Sequence, residues 1–181
     1  DLFITYMEQY SVQHSDYIIA PNNFMPSWLQ KHGWELPPEY RLRIMGLPFS
    51  PQPSTLDTIH KSEFRRIVYF GRMSTGKGFE LFVEVLQSLK LQQEIVFLGS
   101  DTIHKYNTAD NAANILRDVG YTVRVITSMN SQEAQTYLSK NVEDTLVVIP
   151  SLLDNFPYAV IEASLILGLN FICSNNGGMP E

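Results

Sequence analysis

Cysteine is almost absent. A single one, Cys173, occurs in 181 residues, so no intrachain disulfide can form. It sits in the apolar run Asn170-Phe171-Ile172-Cys173, where burial as a small hydrophobe is the expectation. Basic residues are in deficit, 13 Lys and Arg against 19 Asp and Glu, for a net charge of -6. That balance argues against a nucleic-acid partner, which calls for a broad basic surface, yet it leaves room for a local basic spot facing phosphate. Apolar runs are short. None approaches the ~20 residues of a bilayer span and no signal-peptide pattern opens the chain, so an integral membrane segment is not expected. The expected location is cytoplasmic, at most peripheral to a membrane in the parent protein. Histidine is sparse: His14, His32, His60 and His104 are scattered, and no His/Cys/Asp/Glu grouping has metal-ligand spacing. Internal repeats and low-complexity segments are missing as well.

What is present is enough apolar material, 44% of residues, for one full domain with a core and part of a second. Pro48, Pro51 and Pro53 fall within six residues and resist both helix and central strand. They mark a linker, placed at 51–62. Before it, residues 1–50 read as a helix (2–14), a short strand (17–20) and a second helix (23–32) stopped by Gly33. These pieces cannot close a core alone and are expected to belong to a neighbouring domain. The chain starts in what reads as mid-helix, so an excised segment is expected.

From 63 onward the pattern alternates. Short β-branched-rich runs occur at Arg66–Phe70, Glu94–Leu98, Tyr121–Ile126, Thr145–Ile149 and Asn170–Cys173. Helical spacing separates them: Phe79, Phe82, Val83, Leu86 and Leu89, then a helix after Asn130 with Glu133 completing a capping box, then one over 157–167. This predicts an α/β fold, a Rossmann-like parallel sheet with helices on both faces. In such sheets ligands sit at the carboxyl ends of the strands.

The first of those loops, Gly71-Arg72-Met73-Ser74-Thr75-Gly76-Lys77-Gly78, nearly matches a P-loop. It fails at Gly78, where magnesium binding needs a Ser or Thr hydroxyl, and Ile149 is followed by Pro150 and Ser151 instead of a second acid. The physics of an anion grip remains. Gly71 allows close backbone approach, Arg72 offers a planar fork and Lys77 a mobile point charge. Two cations at a helix start oppose the helix dipole, which favours an anionic ligand over a plain solvated surface.

In the loop after Ile149, Asp154 or Asn155 is placed to cap the next helix and Pro157 suits its first turn. Glu162 follows Asp154 by eight residues, so the two acids can address different parts of one extended ligand, and carboxylates accept from sugar hydroxyls. On the residues alone Asp154 reads as a cap, and Glu162 equally as ligand contact or solvated helix residue. Gly177 and Gly178, after the last strand, permit close approach to a ligand or form a plain turn.

Taken in order, Gly71-Arg72 with Lys77-Gly78, Pro150-Ser151, Asp154-x7-Glu162-Ala163, Gly168 and Gly177-Gly178-x-Pro180-Glu181 resemble the retaining GT-B glycosyltransferases of family four, the glycosyl transferases group 1. Ser15-Asp16-Tyr17-Ile18-Ile19 with Met25 and Trp28-Leu29 resembles the last strand-helix piece of that family's acceptor domain. Each motif is weak alone; their order and spacing together are specific. The resemblance implies a remnant of the acceptor-side domain over 1–50 and a truncated C-terminal donor-binding domain over 63–181. It implies transfer of a sugar, with retention, from a nucleoside-diphosphate-sugar donor to a carbohydrate, lipid or protein acceptor, without a metal or other cofactor.

By the same resemblance Arg72 and Lys77 bind the donor diphosphate and stabilise the leaving group. Glu162 holds the donor ribose. Asp154 contacts the donor sugar as the first acid of a Glu-x7-Glu motif, one methylene shorter than the family's glutamate. Arg72, Lys77 and Asp154 are thus the expected catalytic set, and Gly71, Asn155, Phe156, Tyr158, Glu162, Gly177 and Gly178 the expected donor contacts. Two alternatives stand beside transfer: a catalytically silent nucleotide-sugar-binding module, and a GT-B-type sugar-nucleotide epimerase. The 181 residues alone, lacking the acceptor domain, are expected to transfer nothing.

Overall fold

The computed structural model describes residues 2–46, 63–102 and 104–181. The expected linker at 51–62, and His60 with it, lies outside them. The first segment runs α1 (Leu2–Gln13), β1 (Ile18–Ala20), α2 (Phe24–Lys31) and β2 (Leu42–Ile44). β1 and β2 pair in parallel, with Ile18 opposite Leu42. Gly33 ends α2 as expected, at φ 79°, with Trp34 N–H bonded back to the Leu29 carbonyl. β2 carried no clear sequence signal because three residues are too few to show a period.

The second segment holds the sheet: β3 (Arg66–Phe70), β4 (Glu94–Leu98), β5 (Val123–Ile126), β6 (Thr145–Ile149) and β7 (Asn170–Cys173). All neighbours are parallel, in the order β5-β4-β3-β6-β7. Four helices alternate with them: α3 (Phe79–Ser88), α4 (Ala109–Asp118), α5 (Ser131–Ser139) and α6 (Tyr158–Ser164). Because side chains alternate along a strand, Tyr69, Ile95, Phe97 and Val123 face α3 and α4, while Val68, Phe70, Val96, Val147 and Ile149 face α5 and α6. The α/β Rossmann-like architecture expected from the alternation is the one present. On the first face Phe79 stands edge-on to both Tyr69 (5.1 Å) and Phe97 (4.9 Å), contacts that each add roughly 0.5–1.5 kcal/mol to area burial.

Five local readings change. α4 is a helix with no counterpart in the sequence pattern, because its buried side, Ala109, Ala112, Ala113 and Leu116, is mostly alanine and gives a faint apolar stripe. Its start is well capped: Thr108 Oγ1 accepts from Asn111 N–H (3.2 Å) and Asp101 Oδ2 from Ala109 N–H (2.8 Å). α6 stops at Ser164, three residues short of the expected end, since the chain must turn through Gly168 (φ 77°) to enter β7. Neither Asp154 nor Asn155 caps α6; the N-cap position is Pro157 and no side chain bonds there. β5 begins at Val123, because Tyr121 N–H bonds back to the Leu116 carbonyl at the end of α4. Cys173 is exposed, not buried, because its strand forms the edge of the sheet. The expected Asn130–Glu133 capping box at α5 is present in both directions, at 3.0 and 2.9 Å.

Candidate functional site

The strand order reverses direction between β3 and β6. In a doubly wound sheet the crevice at the carboxyl ends of those two strands is where ligands bind. The loops leaving β3 and β6 meet there: Leu152 N–H bonds to the Gly76 carbonyl at 3.0 Å.

The loop after β3 does not run directly into a helix. A 3-10 turn over Thr75–Lys77 intervenes, and the N–H groups of Lys77, Gly78 and Phe79 are taken by the Ser74 and Thr75 carbonyls. Three backbone donors of the turn are therefore already used, while the Glu80 and Leu81 N–H groups in the first turn of α3 have no partner among the described residues and stand available beside the Arg72 and Lys77 side chains. Gly78 has φ 69°, and a Cβ on it would overlap the Pro150 carbonyl. The residue that spoils the P-loop pattern is the one that lets the two loops touch. Under the turn, the Tyr69 hydroxyl lies 2.8 Å from the Arg72 carbonyl and 3.1 Å from the Lys77 carbonyl. Burial pushes this phenol well above the usual tyrosine range, so it stays protonated and can donate. Sequence reasoning read Tyr69 only as part of a strand. The available signal was a tyrosine facing a core, whose hydroxyl must find a partner.

Lys77 Nζ forms an ion pair with Asp154 Oδ2, the side chains being 34% and 14% exposed. This pair is half-desolvated, so its loss leaves a charge in a poor environment. Arg72 is exposed, and its guanidinium has no partner among the described residues. The glycine pair closes on the same loop: Gly178 N–H bonds to the Asp154 carbonyl at 2.7 Å. A Cβ on Gly177 would collide with the Asp154 backbone, and one on Gly178 with the Asn155 carbonyl and the Asn22 amide. The close approach these glycines permit is thus made by the protein's own chain. Phe156 and Tyr158 stand edge-on at 5.3 Å, Tyr158 outermost.

Two contacts tie this cluster to the first segment, and neither was legible in the sequence. The buried Asn22 donates from Nδ2 to the Asn155 carbonyl and accepts at Oδ1 from Met25 N–H at 3.2 Å. Glu181 caps α2 from outside it. Its carboxylate accepts from the Asn23 backbone N–H (3.0 Å), the Asn23 side-chain amide (3.0 Å) and the Phe24 N–H (2.8 Å). The Asn23 N–H bond, helped by the other two, holds the Glu181 carboxyl below its ordinary value.

Glu162 is half-buried and accepts a 2.5 Å hydrogen bond from Ser131 Oγ at the start of α5. Among the histidines, His14 and His32 donate to carbonyls one turn back. His104 is buried: its Nδ1 accepts from Tyr106 N–H (3.3 Å), so Nε2 carries the proton given to Asp101 (3.0 Å). Among the described residues no group of three or more His, Cys, Asp or Glu comes together as a metal site would require. No helix among them is long and apolar enough to cross a membrane.

The sequence model of one family, described as "Glycosyl transferases group 1", matches residues 57–181, which include the five-stranded sheet, its four helices and the loops that leave β3, β6 and β7. The chain belongs to this family. The chain is also similar to a solved structure titled "Crystal structure of AviGT4, a glycosyltransferase involved in Avilamycin A biosynthesis". Identity is 18% and the TM-score 0.40, over 66% of this chain and 35% of that one. The chain thus covers about a third of that glycosyltransferase's length. No curated protein matches.

Proposed function

We propose that this chain is the nucleotide-sugar-binding part of a retaining glycosyltransferase. Residues 63–181 are assigned as the donor domain, 1–50 as the closing strand and helices of the acceptor-side domain, and 51–62 as the join. The observation that carries the reading is the exposed Arg72 guanidinium, without a partner among the described residues, on the same Tyr69-held turn as Lys77 at the β3/β6 switch point of an acidic chain. Two cations held at one crevice suit a diphosphate.

The chemistry follows from charge. Breaking the anomeric C–O bond of a nucleoside-diphosphate sugar gives an oxocarbenium-like sugar and a diphosphate that gains negative charge. Arg72 and Lys77 would stabilise that charge as it develops. Lys77 would then share its ammonium between Asp154 and phosphate oxygens. Glu162, with its Oε2 without a partner among the described residues, would accept from the donor ribose. Asp154, fixed by Lys77 and by its carbonyl bond to Gly178, would lie along the donor sugar. Gly71, Asn155, Phe156 and Tyr158 frame the remaining donor surface, and the buried Gly177 and Gly178 back the Asp154–Asn155 loop from behind. The acceptor attacks on the face the leaving group vacates, which retains configuration. No metal is assigned a role, and nucleic acid is not assigned as a partner.

The test is the parent enzyme offered a panel of nucleotide sugars with product analysis. Transfer with retained configuration, lost by ~100-fold or more in Arg72→Ala, is the expected result. An altered sugar nucleotide formed without acceptor would make it an epimerase. Binding without any turnover would make it a silent module. Residues 1–181 alone are expected to bind a nucleoside diphosphate and transfer nothing.

A further inference from the structure

Glu162 is held from the neighbouring helix. α5 and α6 pack on the same face of the sheet, through Ala134 and Leu138 on one helix and Ala163 on the other. Ser131 opens α5 at the carboxyl edge of the sheet, and Glu162 lies in the second turn of α6. Ser131 Oγ is 2.5 Å from Glu162 Oε1, and Gln135 Nε2 is 3.0 Å from Ser131 Oγ. The direction of this chain is set by chemistry. A carboxylate only accepts, and an amide NH2 only donates, so the single hydroxyl proton of Ser131 must point at Glu162. Gln135 supplies the matching donor to the hydroxyl oxygen from one helical turn further along α5.

We infer that Ser131 is a positioning residue for the donor ribose, held in register by Gln135 and acting through Glu162. The inference rests on the donor reading of Glu162. With Oε1 occupied, the carboxylate cannot rotate without breaking a short bond, and Oε2 is the oxygen presented to a ligand. A ribose hydroxyl then meets one aimed acceptor in place of a freely turning group. The Asn130–Glu133 capping box supports this by fixing the first turn of α5, on which Ser131 sits. Ser131 is exposed, so its replacement removes little packing.

The experiment is calorimetric titration of the chain with ADP, GDP, UDP, CDP and dTDP, followed by the 2′-deoxy and 3′-deoxy analogues of whichever ribonucleotide binds. Wild type is expected to prefer the ribonucleotide to one of its deoxy analogues. Ser131→Ala should weaken the ribonucleotide about three- to tenfold, the scale of one hydrogen bond, while leaving that deoxy analogue unchanged. Ser131→Thr should restore the preference, and Glu162→Gln should remove it. If Ser131→Ala weakens ribo and deoxy forms equally, or neither, the inference is overturned and the donor reading stands. If no nucleoside diphosphate binds wild type, the donor reading falls and takes this inference with it.

Discussion

Lys77 and Asp154 lie 77 residues apart in the chain and form an ion pair across the β3/β6 crevice. The pair has a consequence for ligand binding. Before a phosphate can use Lys77 fully, it must share the ammonium with an aspartate already there, and the aspartate repels the incoming anion. Asp154→Ala should therefore tighten nucleoside diphosphate binding, by roughly two- to tenfold at low salt, with the gain fading as salt rises. Turnover of the parent enzyme should fall over the same substitution. Titration calorimetry and initial rates separate the two effects, and weaker diphosphate binding in the variant would count against competition at Lys77.

Tyr69→Phe removes one oxygen and leaves the Arg72 and Lys77 carbonyls without their shared donor. A lost buried hydrogen bond with an unsatisfied partner costs about 1–3 kcal/mol. Denaturant unfolding should show that loss. Diphosphate binding should weaken too, because the turn that presents both cations would loosen. An unfolding midpoint equal to wild type would show that the hydroxyl does not hold the loop.

Gly78→Ser completes the P-loop pattern in sequence while attacking it in structure. The backbone there has φ 69°, and a Cβ would overlap the Pro150 carbonyl. The variant should lose at least about 2 kcal/mol of stability and acquire no nucleoside triphosphatase activity. A stable Gly78→Ser protein would mean that the two loops can part without cost.

The fold was largely legible because it depends on long-lived patterns. The runs at Arg66–Phe70, Glu94–Leu98, Thr145–Ile149 and Asn170–Cys173 are strands with those bounds. Asn130 and Glu133 make the capping box their spacing implied. Elements carried by small residues, such as the alanine face of α4, were not. In the site, residue types announced the cations and acids, but not who holds them. Tyr69 beneath Lys77, Ser131 on Glu162, and Glu181 on α2 join positions 8 to 158 residues apart, and no local period encodes a partner at such distances.

Glu181 gives a pH dependence with a definite sign. Its carboxyl is held below its ordinary value by the hydrogen bonds it accepts from Asn23 and Phe24, which the unfolded chain does not make. A carboxyl with a lowered folded value stabilises that state fully above its unfolded value, and the contribution is lost as pH falls through the folded one. The amide resonances of Asn23 and Phe24 should hold steady from neutral pH to about 5 and then shift together below 4.5. Glu181→Gln should show the undocked positions at neutral pH. Amide shifts that track no carboxyl titration would remove Glu181 as the clamp.

If Arg72 and Lys77 together grip a diphosphate, the number of phosphates on a nucleoside should decide its affinity. The same nucleoside should be titrated as its diphosphate and its monophosphate, into wild type and Arg72→Ala. The diphosphate should bind wild type at least about tenfold more tightly than the monophosphate, and Arg72→Ala should erase that difference. Equal binding of the two nucleotides by wild type, or a preference that survives Arg72→Ala, would contradict it.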